Sequence, residues 1–578
     1  MTAPTLQPFK AACVQFNPQL NCREDNVAAL LRVVEDAARQ GARLIVTPEM
    51  ATTGYHYRDR EAIRPFVDTI PGRTTERFAE ICRLYGSYIV LSMPEADAKT
   101  DLYYISAALI GPDGVIGTYR KTHLWECEAR WAAAGDLGIP VFATDLGNIA
   151  ITICMDSVYY ETARAAALGG ADILSFPTNS SGQSIAVLQA RAEANGLYVV
   201  SANRSNKELG FHMVGGSAVW SPLGEKLAEA EVMASSDRVC DEPTIVYAEI
   251  DPSLYRNPAK ERLKERRSGL YKDIMLSHLP WDERRDRQPR PIRAVLAQYE
   301  PVPGDKLANV RKMLQLIPGR AAPDQAAADL VVFPELSVTG PVDGLKPETI
   351  WDISEHIDGD AVALFRRAAR ERQTHFVFGF VEREGDRLYN SAVLIDDAGE
   401  VAGTYRKTHL QADERRWAHP GDSIAVFSTE MLGSIGVMIG YDAAFPEVAG
   451  VLAAQRADII AIPSSWRGEI SCALATDPLL TRHPYPDGAV AAWAGIAVAA
   501  QAYTLVANYV GTATPYGGRS AMYTLDPFYG LDRPIIASAR DEEAVSVAFT
   551  TIQPEWWFNQ QKMLDSRKPH HYTIMIEK

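Results

Sequence analysis

Gly117-Thr-Tyr-Arg-Lys-Thr-His-Leu124 recurs without a single change as Gly403-Thr-Tyr-Arg-Lys-Thr-His-Leu410. The flanking segments recur in the same order. Leu44-Ile-Val-Thr-Pro-Glu49 returns as Leu330-Val-Val-Phe-Pro-Glu335, and Ile153-Cys-Met-Asp156 returns as Ile439-Gly-Tyr-Asp442. Glu49 and Glu335, Lys121 and Lys407, and Cys154 and Gly440 are each 286 residues apart. A constant offset through three separate motifs marks a tandem duplication of one domain.

Within a copy the pattern alternates between strand and helix. Lys10 to Phe16 reads as a strand broken by Asn17-Pro18. Asn26 is expected to cap a helix carrying Val27, Leu30, Leu31, Val34 and Ala38 on one face, stopped by Gly41. A strand over Leu44 to Val46, a helix over Thr75 to Tyr85 and a strand over Tyr88 to Ser92 come next. Tyr103 to Ile110 and Val115 to Tyr119 flank Pro112-Asp113-Gly114 as a hairpin. An apolar run, Ile149 to Ile153, ends on Cys154, and Glu161 to Leu168 reads as the next helix. The fold class is α/β, with one domain over 1–276, a second over 292–578, and a linker at 277–291. That linker mixes charges of both signs with Pro289 and Pro291, as an exposed connector does.

Composition narrows the function. A net charge of −15 leaves no basic surplus to neutralise phosphates, so a nucleic-acid partner is not expected. Met1 to Leu6 shows no basic stretch followed by an apolar core, so no secretory signal is expected. Seven cysteines are too few and odd in number for a disulfide framework, which points to reduced thiols and a cytoplasmic location. Gly488 to Asn508 carries no charge over about twenty residues, the length of a membrane span. Its alanines, Gln501 and Asn508 instead suggest a buried helix to about Ala499 and a core strand from Tyr503 to Ala507. Apart from His570-His571 the histidines show no metal-ligand spacing, so no metal or other cofactor is expected.

Glu49, Lys121 and Cys154 each stand just past a predicted strand end, and such ends cluster on one edge of a sheet. Attack on a carbonyl needs a nucleophile, a base for its proton and a positive group for the oxyanion, the roles these three supply. A cysteine between strand end and helix start also suggests helix amides that favour thiolate.

These motifs resemble the nitrilase superfamily, the carbon–nitrogen hydrolases. The resemblance rests on Pro48-Glu49, Tyr119 to Leu124, Ile153 to Asp156 with Glu161 and Arg164, Asn203, and Gly216-Ser217 ahead of Pro222-Leu-Gly224. It covers nearly the whole chain, twice. It implies α-β-β-α sandwich domains and a Glu49-Lys121-Cys154 triad. It also implies a second glutamate after the lysine, Glu128 by position, with Glu126 close enough to compete. The implied reaction runs through a thioester and releases ammonia or an amine, with no cofactor. Tyr55, His56, Tyr57, Trp125, Tyr160, Thr178 and Asn179 lie near the motifs as candidate pocket residues for a small-molecule substrate.

The second copy keeps Glu335, Lys407 and Glu414 but has Gly440 at the nucleophile position, so it is expected to be inactive. Its Glu and Lys would pair structurally, or the vacated space would hold a ligand. Met155-Asp156, where nitrile-cleaving relatives tend to carry Trp-Glu, tilts the substrate toward an amide or carbamoyl compound. A nitrilase, an N-acyltransferase and a non-enzymatic binding module are the competing readings. The resemblance also implies an intramolecular pseudo-dimer through the alanine-rich helices Glu161 to Leu168 and Phe445 to Ala454.

Overall fold

The computed structural model describes residues 6–233, 242–276, 290–317, 327–475, 477, 480–511, 516–525, 532–551 and 558–577. The chain divides into two compact units, and neither is a continuous stretch. One comprises Met1–Lys264, Ala475–Leu480 and Ser566–Glu577; the other comprises Glu265–Leu474, Thr481–Asp565 and Lys578. Set beside the contiguous copies 1–276 and 292–578, two short segments group with the other copy. Glu265 to Leu276 belongs with the second copy's core, and Ser566–Glu577 with the first's. Both segments fold only as short turns and helices of a few residues, so their allegiance is set by the pockets their side chains fill, which local pattern does not encode. Residues 277–289 of the expected linker lie outside the described residues. Arg290 and Pro291 are already in strand Arg290–Gln298, paired with Glu543–Thr551.

The first unit contains two six-stranded sheets. One runs, edge to edge, Thr244–Ile250, Phe9–Gln15, Ala42–Val46, Tyr88–Ala96, Tyr103–Gly111, Gly114–Arg120. The other runs Lys226–Glu229, Ala218–Trp220, Tyr198–Ala202, Ile173–Pro177, Gly147–Ile151, Val141–Thr144. Alternate residues of both sheets meet in one core: Leu44, Val46, Val90, Ile105 and Leu109 from the first, Ile149, Ile151, Ile173 and Val200 from the second. Helices Arg23–Arg39 and Arg73–Tyr85 pack Val27, Leu30, Val34, Phe78 and Cys82 on the outer face of one sheet. Tyr160–Leu168 and Leu188–Asn195 cover the other with Ala163, Ala166, Ala167, Leu188 and Ala192. This is the α-β-β-α sandwich. The second unit repeats it, with one core between sheets around Leu296, Val332, Ile435 and Ile459 and another under helices Lys306–Leu316 and Asp360–Arg372.

One local expectation changes. Asn26 lies inside its helix, whose N-cap is Cys22. The buried Asn26 carboxamide accepts from Gln19 N at 2.8 Å and donates to Gln19 O at 2.7 Å and Thr52 O at 3.2 Å. Asn309 clamps Val302 and Val338 in the same way. From sequence, a short polar residue ahead of an apolar stripe looks the same whether it caps the helix or ties a loop to it. The uncharged stretch near residue 500 is a buried helix, Ala491–Ala500, followed by strand Tyr503–Ala507. No helix among the described residues is long and apolar enough to cross a membrane.

Candidate active site

In the first unit the site draws on parallel strands of both sheets rather than on one. Glu49 follows Ala42–Val46, Cys154 follows Gly147–Ile151, and Thr178 follows Ile173–Pro177. The hairpin strand Gly114–Arg120 delivers Lys121 to the same place. Lys121 Nζ donates to Glu49 Oε1 at 2.8 Å and to Glu128 Oε1 at 2.6 Å. It is Glu128, not the exposed Glu126, that reaches the lysine. Tyr55 Oη donates to Glu128 Oε1 at 2.7 Å, and the Trp125 backbone amide to Glu128 Oε2 at 2.7 Å. An ammonium has three donors, so Lys121 keeps one N–H for another acceptor. Glu49 Oε2 has no hydrogen-bond partner among the described residues.

Burial sets the protonation pattern. Glu49 is fully buried, and loss of water pushes its carboxyl up to about 7, against the pull of the Lys121 ammonium. The Cys154 thiol is pushed up to about 12, first by burial and then by the negative charge of Glu49. Burial works against the Lys121 ammonium, but Glu128 and Glu49 outweigh it and hold the lysine protonated. The expectation that helix amides favour a Cys154 thiolate is therefore corrected. Cys154 opens a 3-10 turn, Cys154–Val158, and the α-helix starts only at Tyr160, so its amides lie too far along the chain. The resting cysteine is a neutral thiol beside a carboxyl that titrates near neutrality.

Cys154 has φ of +47°, a left-handed conformation that costs a residue with a side chain about 1–3 kcal/mol. Such strain persists only where neighbours enforce it. Asp156, two residues on, accepts hydrogen bonds from Ile153 N at 2.8 Å and Tyr119 Oη at 2.6 Å. Thus Asp156 holds the turn and is fully buried.

Other pocket candidates fall into two groups. The Thr178 hydroxyl lies 3.0 Å from Ser184 Oγ, which is 4.0 Å from the Cys154 sulfur. Asn179 is buried, and neither of its amide atoms has a partner among the described residues. Tyr57, by contrast, donates to Thr53 O and packs edge-on against Trp131. Tyr160 is on the helix side of the turn, beside Arg191, whose guanidinium holds the carbonyls of Ser157 and Val158. Two positioning residues escape sequence reasoning. Glu208 Oε1 accepts from Tyr55 N at 2.9 Å and His56 N at 2.7 Å, and Ser184 stands beside the thiol. Neither carries a local signal, because each acts across a long sequence gap. Asn203 ties down the loop after Thr178 through Ser180 N at 2.8 Å and Gly215 O at 2.7 Å.

The carbon-nitrogen hydrolase family model matches the chain twice, over residues 10–259 and 293–555. The chain belongs to that family. A nitrilase of Pyrococcus abyssi is 37% identical over 268 residues, 45% of this chain and 98% of the relative. The N-carbamoylputrescine amidase of Arabidopsis thaliana is 29% identical over 289 residues, 44% of this chain and 93% of the relative. A solved carbon-nitrogen hydrolase from Helicobacter pylori G27 aligns at 25% identity with a TM-score of 0.42, over 46% of this chain and 98% of its own. Each of the two curated relatives thus corresponds to about one copy of the duplicated hydrolase domain, and the family match makes the chain a hydrolase of carbon–nitrogen bonds other than peptide bonds.

The second hydrolase copy keeps the charges and rearranges their partners. Lys407 Nζ donates to Glu335 Oε1 and Glu414 Oε1, both at 2.7 Å. Asn390 donates from Nδ2 to the same two oxygens at 2.7 and 2.8 Å, and Ser465 Oγ donates to Glu335 Oε2 at 2.7 Å. Glu335 therefore has both oxygens taken. Gly440 has φ of +40°, the same backbone as Cys154 without a side chain. A Cβ there would stand 2.6 Å from Glu335 Oε2. A cavity of about 390 Å³ opens on this site between Glu335, Lys407, Gly440, Trp417 and Trp466.

Proposed function

We propose that the first copy hydrolyses the carbon–nitrogen bond of a small amide or carbamoyl compound through a cysteinyl thioester. The observation that carries this reading is the free Oε2 of Glu49 in a buried cluster with a protonated lysine and a strained, neutral cysteine. The Glu49 carboxylate takes the thiol proton, and the sulfur attacks the substrate carbon. The remaining N–H of Lys121 meets the oxyanion. Collapse breaks the carbon–nitrogen bond, with the proton on Glu49 passing to the departing nitrogen. Glu49 then takes a proton from water, whose oxygen attacks the thioester and frees the acid and the thiol. Glu128, held by Tyr55 and the Trp125 amide, fixes Lys121. Asn179, with both amide atoms open, supplies a donor and an acceptor matched to a substrate carboxamide, and Thr178 lines the sulfur's side.

Similarity alone leaves nitrile and amide readings open, since relatives of both names match. Asp156 does not choose between them, being committed to the turn. Ammonia release across a panel of small amides, carbamoyl compounds and nitriles tests the assignment, together with the mass of an acylated Cys154 trapped at short times. Strong turnover of nitriles and none of amides would overturn the amide reading.

The second copy is proposed to be catalytically inactive, with Lys407 satisfying Glu335 and Glu414. We also propose that the copies form an intramolecular pseudo-dimer in a cytoplasmic protein. The exchange of Glu265–Leu276 and Ser566–Glu577 between the compact units supports this, as do six described cysteines that are all free thiols. A separately expressed fragment, residues 1 to 280, lacks Ser566–Glu577 and is expected to self-associate or precipitate. A well-behaved, fully active monomer would refute that.

A further inference from the structure

In each copy the turn at the nucleophile position is braced by a relay that ends on a tyrosine distant in sequence. Asp156 accepts from Ile153 N, the amide just before Cys154, and from His123 Nδ1 at 2.8 Å and His123 N at 2.9 Å. A carboxylate only accepts, so Nδ1 carries the proton. Nε2, on the far side of the ring, lies 2.5 Å from Tyr572 Oη. The imidazole lies flat on Tyr159, with centroids 3.8 Å apart. Tyr572 belongs to the segment Ser566–Glu577, which follows the second copy in sequence yet packs in the first unit. The Lys568 amide donates to the same hydroxyl at 3.2 Å, and Arg567 faces Glu161, in the helix after the turn, at 3.7 Å.

The other unit repeats the relay. Asp442 accepts from Ile439 N at 3.1 Å and His409 Nδ1 at 2.9 Å, and His409 Nε2 meets Tyr271 Oη at 2.7 Å. Arg266 pairs with Glu447 at 2.7 Å, as Arg567 faces Glu161. There the braced residue is Gly440, whose left-handed backbone is unstrained. The same device therefore has work to do on the reacting group in one copy only.

We propose that Tyr572, acting through His123 and Asp156, is a positioning residue that keeps the Cys154 turn in its left-handed, attack-ready conformation. Turnover by the first copy then depends on a segment that follows the second copy. This rests on the assignment of Cys154 as nucleophile.

Full-length Tyr572→Phe removes one hydroxyl and keeps the ring; Tyr271→Phe does the same to the other relay. Both are compared with wild type in kcat and KM for ammonia release, in the rate of Cys154 alkylation by iodoacetamide followed by peptide mass mapping, and in Tm. Tyr572→Phe is expected to lower kcat about tenfold with KM nearly unchanged and to slow alkylation by a similar factor. Tyr271→Phe is expected to leave kcat, KM and alkylation within about twofold of wild type. A chain ending at Asp565 should lose more; if it fails to fold, the point variant decides. Wild-type kcat and alkylation in Tyr572→Phe would overturn the proposal. So would equal losses in both variants, or a lowered Tm with kcat per folded molecule intact. Retained turnover in Cys154→Ala would instead sink the nucleophile assignment, whatever Tyr572→Phe does.

Discussion

Cys154 and Gly440 occupy the same left-handed corner of matching turns, held by Asp156 and Asp442, yet their surroundings differ. Beside Cys154, Glu49 accepts from Lys121 on one oxygen, and its other oxygen has no partner among the described residues. Around Gly440 the matching Glu335 is saturated, because Asn390 and Ser465 add donors that the first site lacks. Asn390 stands where the first copy has Ile105, each carbonyl accepting from the lysine's backbone amide at 2.8 Å. A buried carboxylate oxygen left unpaired is unfavourable for stability.

The sharpest way to break the comparison is Cys154→Ala, expected to lower turnover by about 10⁴-fold or more while the fold persists. Near-wild-type ammonia release from that variant would show that sulfur is not the nucleophile. Next comes the lysine pair. Lys121→Ala should lower kcat by about 10²–10³-fold through loss of the oxyanion donor. Lys407→Ala should leave kcat per folded molecule within about threefold but lower stability by about 3 kcal/mol, since it strands Glu335 and Glu414 in a buried site. Equal kcat losses in the two would mean that the second copy takes part in chemistry.

The pH profile sharpens the contrast further. Glu49 acts as a base only when ionised, and burial places its carboxyl near 7. The value of kcat/KM should therefore fall about tenfold per unit as pH drops below that point. The charge of Glu128 contributes to raising Glu49. Glu128→Gln should move the limb to lower pH, alongside its loss of kcat; an unmoved limb would assign the titration to another group. The smallest expected effect is the most telling. Gly440→Cys, in a Cys154→Ala background, should restore no measurable activity. It should cost about 1–3 kcal/mol as the new Cβ crowds Glu335. Recovered turnover there would show that only the sulfur had been lost.

The octapeptide shows what an identical repeat does and does not encode. Tyr119 and Tyr405 donate to Asp156 and Asp442, and Arg120 and Arg406 grip Glu95 and Glu382. Gly117 and Gly403 leave room for Phe142 and Phe427, where a Cβ would stand 2.1 Å from the ring. These three pairs of residues do the same structural work in both copies, so their identity reports a shared scaffold.

The sequence by itself determined the duplication, the α/β alternation, the sheet-edge positions of Glu49, Lys121 and Cys154, and the missing side chain at Gly440. Each is written in local pattern or in a fixed offset, and burial of alternating apolar residues leaves one way to assemble them. Tertiary structure alone decided that Glu128 rather than Glu126 reaches Lys121, that burial raises the Cys154 thiol, and that Asn390 and Ser465 donate to Glu335. It also decided that Tyr572 and Tyr271 exchange copies. Those outcomes depend on desolvation and on hydrogen bonds between residues far apart in the chain, and neither leaves a trace in local sequence.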